Sequence, residues 1–294
     1  MRTALTLALL LATTGTACAE SFDQMFPNHP GYENENVNEA LRSMDYRQGE
    51  VVLPGGQAVV QVPEGYYFLD AEDSNTVLSY LWGNPEDPTT LGMIFPADRT
   101  PWDDVWGAEF SFEAMGYVSD VDADSIDYGA LLAEMQSDAK LESEDRVAQG
   151  YDPVELIGWA EPPHYDATAR KLHWAQELQF GENDGSRTLN YDLRALGREG
   201  VLSVNFIASM DQLAEVKAAL PDVAGMISFA EGKRYADFDP SLDTVAAVGI
   251  AGLIAGKSMT AKGGLMVGAL LLLKKFWFLL LLPFAWLGRL FRRG

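Results

Sequence analysis

The sequence predicts an α+β fold: a mostly antiparallel sheet with packed helices, followed by a C-terminal membrane-anchoring helix. Three observations carry this expectation. Short runs of period-two apolar alternation are punctuated by Gly and Pro, the pattern of hairpins rather than of strand–helix–strand units. Helical periodicity is confined to a few segments that do not interleave regularly with the strands. From Gly263 to Gly288 the chain is apolar except for Lys274 and Lys275, long enough for one helical span.

Residues 1–19 read as a secretory signal peptide. Arg2 supplies a short positive start, Ala4 to Ala12 an apolar run too short to span a membrane comfortably, and Ala17-Cys18-Ala19 a small-residue cleavage site. Lipid attachment at Cys18 is the alternative processing route, although Gly15-Thr16-Ala17 lacks the leucine usual before a lipidated cysteine. Cys18 is the sole cysteine, so a chain cleaved after Ala19 has neither disulfide nor thiolate chemistry. Residues 20–50 are polar, rich in Asn and Glu, and read as a leader of low order with one short helix near Val37 to Met44.

Residues 51–243 form one exported α+β domain, ample for a single core and without an evident linker. Gly56 to Val62 alternates, Pro63-Glu64-Gly65 turns, and Tyr66 to Leu69 returns, which signals a hairpin. Ser74 to Trp82 reads as a short helix; Leu91 to Phe95 and Ala108 to Tyr117 read as strands. Tyr128, Leu131, Leu132 and Met135 mark one face of a helix capped by Asp124 or Ser125. Two hairpins follow, Pro153 to Ala160 with Arg170 to Phe180 across a Pro-Pro-containing connection, and Thr188 to Leu196 with Val201 to Ser209 across Gly197-Arg198-Glu199-Gly200. Met210 to Leu220 is helical and stops at Pro221.

The net charge of −22 conceals two opposed parts. All 43 acidic residues lie between Glu20 and Asp243 with 13 basic ones, so this stretch carries 13 − 43 = −30. A nucleic-acid-binding domain, which needs a basic face, is excluded. Residues 244–262 are Gly/Ala-rich and juxtamembrane, with Gly249, Gly252 and Gly256 allowing close helix packing. Residues 263–288 form a transmembrane or interfacial anchor, carried by Leu265, Leu273, Trp277, Leu282 and Trp286. Lys274 and Lys275 each oppose insertion by about 2.5–3.5 kcal/mol, offset by the leucines only if the lysines snorkel or find partners. Arg289, Arg292 and Arg293 in the basic tail, residues 289–294, favour the cytoplasmic side. The expected location is the bacterial inner membrane, crossed once, with the acidic body in the periplasm and the tail in contact with lipid.

No G-x-S-x-G, P-loop or G-x-G-x-x-G is present, and no cofactor is implied. Asp120, Asp122 and Asp124 have the spacing of the first Ca²⁺ ligands, but Ser125 and Leu131 stand where a loop glycine and a bidentate Glu belong. The plainer reading is an acidic approach to a helix N-terminus. His164 and His173 fall on paired strand ends, where with Glu161 or Asp166 they form a weak candidate for metal or proton chemistry; cross-strand packing is the commoner outcome. Asn190-Tyr191-Asp192-Leu193-Arg194 and Arg234-Tyr235-Ala236-Asp237-Phe238 are candidates for buried ion pairs or a recognition surface.

Several of these motifs occur in order: Gly158-Trp159-Ala160-Glu161-Pro162-Pro163-His164-Tyr165-Asp166, Leu172-His173-Trp174-Ala175, Leu189-Asn190-Tyr191, Arg194, Leu196 to Leu202 and Arg234 to Phe238. In them the chain resembles the domain of unknown function 2167 family of bacterial membrane-anchored proteins. The resemblance implies an exported domain with a C-terminal anchor, and no activity or site residues. A binding or structural module acting on an envelope protein partner is therefore expected. The alternatives are a hydrolase or metal-dependent enzyme using the His164/His173 region, and a membrane-perturbing role for the tail.

Overall fold

The computed structural model describes residues 18–84, 87–148, 150, 152–181 and 187–256. Its strands are β1 (Cys18–Glu20), β2 (Tyr46–Val52), β3 (Ala58–Val62), β4 (Tyr66–Asp70), β5 (Thr90–Pro96), β6 (Gly107–Glu113), β7 (Val154–Asp166), β8 (Lys171–Phe180), β9 (Arg187–Leu196), β10 (Val201–Ser209) and β11 (Ile227–Phe229). They form one eleven-stranded sheet in the order β11-β3-β2-β4-β5-β6-β10-β9-β8-β7, with β1 paired to β2. Every strand pair is antiparallel.

Alternation along the strands divides the core between the two faces. On one face Phe68, Ala108, Phe110, Tyr191, Leu193, Val204 and Phe206 pack against Val216, Ala219 and Val223 of helix α5 (Leu213–Met226). The opposite face carries two separate apolar clusters. Tyr67, Leu69, Met93 and Phe95 meet α1 (Phe22–Met25), α2 (Glu35–Ser43) and the π-helical turn Thr76–Leu81 that follows α3 (Ala71–Asn75). Leu172, Trp174, Leu196 and Val201 meet α4 (Tyr128–Ala148) and α6 (Ile250–Ile254). The result is a three-layer α+β domain with a gap between the two apolar clusters of the second face.

Several sequence expectations need correction. Residues 20–50, expected to be of low order apart from one short helix near Val37 to Met44, contain α1 and part of β2 as well as that helix, α2, with Phe22, Leu41, Met44 and Tyr46 all at most 2% exposed. Their polar composition masks a few apolar side chains placed on one side of two short helices. The expected hairpin of β3 with β4 does not form, because β2 lies between them. Helix α5 runs through Pro221 rather than stopping there. Pro221 removes one backbone donor, but Val223 and Met226 beyond it are buried, and that burial holds the helix together.

Helix α4 begins at Tyr128, and its cap is Asp127, whose Oδ1 accepts from the Gly129 and Ala130 amides at 3.0 Å each; Asp124 and Ser125 lie in a preceding 3₁₀ turn. Residues 244–256 of the Gly/Ala-rich stretch pack on the body. Val245 pairs with Tyr117, and Ile250 and Ile254 of α6 are buried. Among the described residues no helix is long and apolar enough to cross a membrane. The anchor residues Leu265, Leu273, Trp277, Leu282 and Trp286, and the tail Arg289, Arg292 and Arg293, lie outside the described residues, as do residues 1–17.

Candidate functional site

The aspartates of residues 120–124 do not converge. Asp120 accepts from the Tyr165 hydroxyl at 2.8 Å and the Tyr235 hydroxyl at 3.2 Å, and pairs with Arg170. Arg170 lies over the Tyr235 ring at 4.7 Å and has φ +54°, a left-handed conformation that costs on the order of 1 kcal/mol and is held here by its side-chain contacts. Burial, aided by the neighbouring Asp120 charge, holds the Tyr235 hydroxyl well above the usual phenol range. Asp122 instead accepts from the Ile250 and Ala251 amides at 3.0 and 3.2 Å, capping α6. Gly249 makes this approach possible, because a Cβ there would lie 2.6 Å from the Asp122 carboxylate. Two of the three carboxylates are therefore committed to joining chain segments. The motif Arg234 to Phe238 serves the same network through Tyr235, which also donates to the Val118 carbonyl.

The histidines do come together. His164 stands directly opposite His173 in the β7–β8 register, with ring centroids 5.2 Å apart. His173 Nδ1 lies 3.0 Å from the buried Tyr191 hydroxyl oxygen. Burial is the main force lowering the His173 pKa, assisted by the His164 charge. A bulge on either side of Glu161 re-aims that part of β7, and Glu161 pairs with Lys217 of α5. Asp166 is separate: it is exposed and accepts from the Thr168 and Ala169 amides of the β7–β8 turn, bonds that lower its pKa. Among the described residues no three His, Cys, Asp or Glu side chains are grouped to hold a metal ion.

A second constellation lies on the opposite face, between the two apolar clusters. Across β6, β10, β9 and β8 the register aligns Glu109, Asn205, Asp192 and Trp174 in one row. The adjacent row contains Ser111, Ser203 and Arg194. Arg194 donates to Asp192 at 2.9 Å, to Glu113 at 3.3 Å and to Ser203, and lies over the Trp174 ring at 5.5 Å. Asp192 is 8% exposed, and burial raises its pKa against the pull of Arg194. Burial, with repulsion from Asp87 next, pushes Glu109 up to about 7. Trp174 Nε1, Arg194 Nε and Asn205 Oδ1 are buried without a hydrogen-bond partner. Buried polar atoms normally find partners, so three unpartnered ones in neighbouring residues single this row out as a candidate site.

This row is reached through a cleft of about 480 Å³ between α4 and the sheet. Asp138, Glu142 and Arg146 of α4 form its rim, with Trp174, Phe180, Asp192 and Arg194 opposite. A second cleft of about 600 Å³ shares Arg146 and Phe180 and continues to Asn190 and Asn205. A larger groove of about 930 Å³ follows the outer flank of α4, away from the buried polar row. Size alone therefore does not locate the site. The motifs Asn190 to Arg194 and Leu172 to Ala175 contained part of it, but Glu109 and Asn205 did not stand out. Polar residues alternating with apolar ones read as a solvent-facing strand side, and only the helices above turn that side into a cleft floor.

The solution structure of cyanobacterial PsbP (CyanoP) from Synechocystis sp. PCC 6803 is similar over 62% of this chain and 91% of its own, at 11% identity and a TM-score of 0.36. The Saccharomyces cerevisiae Ran-binding protein Mog1p is similar over 67% of this chain and 100% of its own, at 12% identity and a TM-score of 0.33. Superpositions this loose support no functional transfer. A search of curated proteins gave no match. The family model described as protein of unknown function (DUF2167) matches residues 45–285, most of the chain, and the chain belongs to that family.

Proposed function

We propose that the chain is a membrane-tethered module of the bacterial envelope that binds a small amine-bearing ligand in the cleft beneath α4. The observation that carries this reading is the buried Asp192–Arg194 pair at the cleft floor, with the unpartnered acceptor Asn205 Oδ1 beside it and acidic side chains at the rim. Arg194 already spends its charge on Asp192 and Glu113, so the remaining carboxylates Asp138 and Glu142 favour a cation. Arg146, whose guanidinium lies 5.9 Å from the Phe180 ring centroid, shows that the rim accommodates a positive group over an aromatic face. The excess acidic charge of the body concentrates cations at its surface. Tethering and orientation rest on the sequence: the export signal at residues 1–19, the apolar run at 263–288, and Arg289, Arg292 and Arg293.

Titration of the detergent-extracted protein with spermidine, glucose and succinate tests the binding reading. Spermidine should raise the melting temperature and the other two should not. The doubly neutralised rim, Asp138→Asn with Glu142→Gln, should abolish that rise. Equal responses to spermidine and glucose, or a spermidine response that survives the rim substitutions, would overturn it. Protease added to spheroplasts should cut the body and spare the tail.

A further inference from the structure

We propose that His164 and His173 form an open two-imidazole chelate for a late divalent transition-metal ion, Cu²⁺ foremost, on the sheet face opposite the cleft. Antiparallel register sets the two residues directly across from each other, so both rings project from the same side of the β7–β8 pair. Imidazole nitrogens bind such ions at about 2.0–2.1 Å, which places two adjacent ring centres roughly 4.5 Å apart on a tetragonal ion and roughly 5.2 Å apart on a tetrahedral one. The observed centroid separation is 5.2 Å.

The surroundings of His173 suit a ligand. Its Nδ1 is held at 3.0 Å by the Tyr191 hydroxyl, which fixes the ring and leaves Nε2 for the ion. Metal-binding imidazoles commonly have their second nitrogen anchored in this way. Tyr191 is 1% exposed and its ring stacks on that of His173, so the anchor is rigid. Glu161 supplies nearby negative charge but is paired with Lys217 and is not a third ligand. The remaining coordination positions then belong to water or to donor atoms of a second molecule. Copper leads because imidazole sites favour it over Ni²⁺ and Zn²⁺.

The detergent-extracted full chain is titrated with CuSO₄ by calorimetry and by electron paramagnetic resonance. One Cu²⁺ per chain with hyperfine coupling to two nitrogens is expected. His164→Gln should reduce affinity at least tenfold and leave one coupled nitrogen. Tyr191→Phe should weaken binding by about tenfold or more without removing a ligand. His29→Gln, which changes the third histidine of the chain, should alter neither readout. His164 is exposed, so its variant remains folded and decides the matter even if a change at His173 does not fold. Absence of copper binding, or binding unchanged in His164→Gln, would overturn the proposal. Because these residues lie on the other face of the sheet, either result is independent of amine binding in the cleft.

Discussion

Glu109→Gln probes the polar row through its pH dependence. Burial and the Asp87 charge push the Glu109 carboxyl from 4.5 to about 7 in the folded protein. Between those values the unfolded chain has released a proton that the folded chain keeps. Unfolding therefore releases a proton, and Glu109 makes the protein less stable as pH rises through this window. The shift from 4.5 to about 7, at 1.36 kcal/mol per unit, corresponds to about 3 kcal/mol once ionisation is complete. An amide cannot ionise, so Glu109→Gln should gain about 3 kcal/mol on the wild type near pH 8, and the gain should shrink to a constant offset below about pH 4.5. Urea unfolding of both proteins across that range, followed by tryptophan fluorescence, measures the difference. Asp73, pushed up to about 6 mainly by burial, tilts both curves alike and cancels. A difference that stays flat with pH would show that Glu109 is not ionising against burial, and the reasoning about the polar row would fail.

Asp192→Ala should destabilise the protein by about 3–5 kcal/mol, because Arg194 loses its most buried carboxylate partner; a urea midpoint within error of wild type would refute this. Leu41→Ala should cost about 2–5 kcal/mol in the same assay if α2 is part of the core, whereas a segment of low order would show almost no loss. Gly249→Ala places a methyl against the Asp122 carboxylate and should cost about 1–3 kcal/mol, with faster amide exchange at Ile250 and Ala251. A Gly249→Ala protein with wild-type exchange at both amides would remove Asp122 from its capping role.

The α+β class and most of the strands were legible from alternation and turn chemistry. The pair β9–β10 follows a period-two pattern closed by a short turn, and such local signals survive folding because the turn brings its own strands together; β7–β8 was legible only in part, since β7 runs on through Pro162-Pro163 to Asp166 instead of ending at Ala160. The facing of His164 and His173 was legible from the turn between them. Longer-range placements were not. The insertion of β2 between β3 and β4 depends on pairing beyond the local turn, and the persistence of α5 past Pro221 depends on the core beneath Val223 and Met226. Residues 20–50 read as of low order apart from the helix near Val37 to Met44, because average polarity says nothing about four apolar side chains converging on one cluster.

Charge segregation was a property of the sequence alone: an acidic body of −30 and basic, apolar ends are additive and independent of fold. The expected export and anchoring follow from that pattern. Which polar residues are buried was decided only by tertiary structure. Glu109, Asn205, Asp192 and Arg194 occupy ordinary outward positions of alternating strands, and they become a cleft floor because helices from distant parts of the chain pack beside them. Burial is a many-body quantity set by what lies above a residue, and nothing in a residue's own neighbours along the chain encodes it.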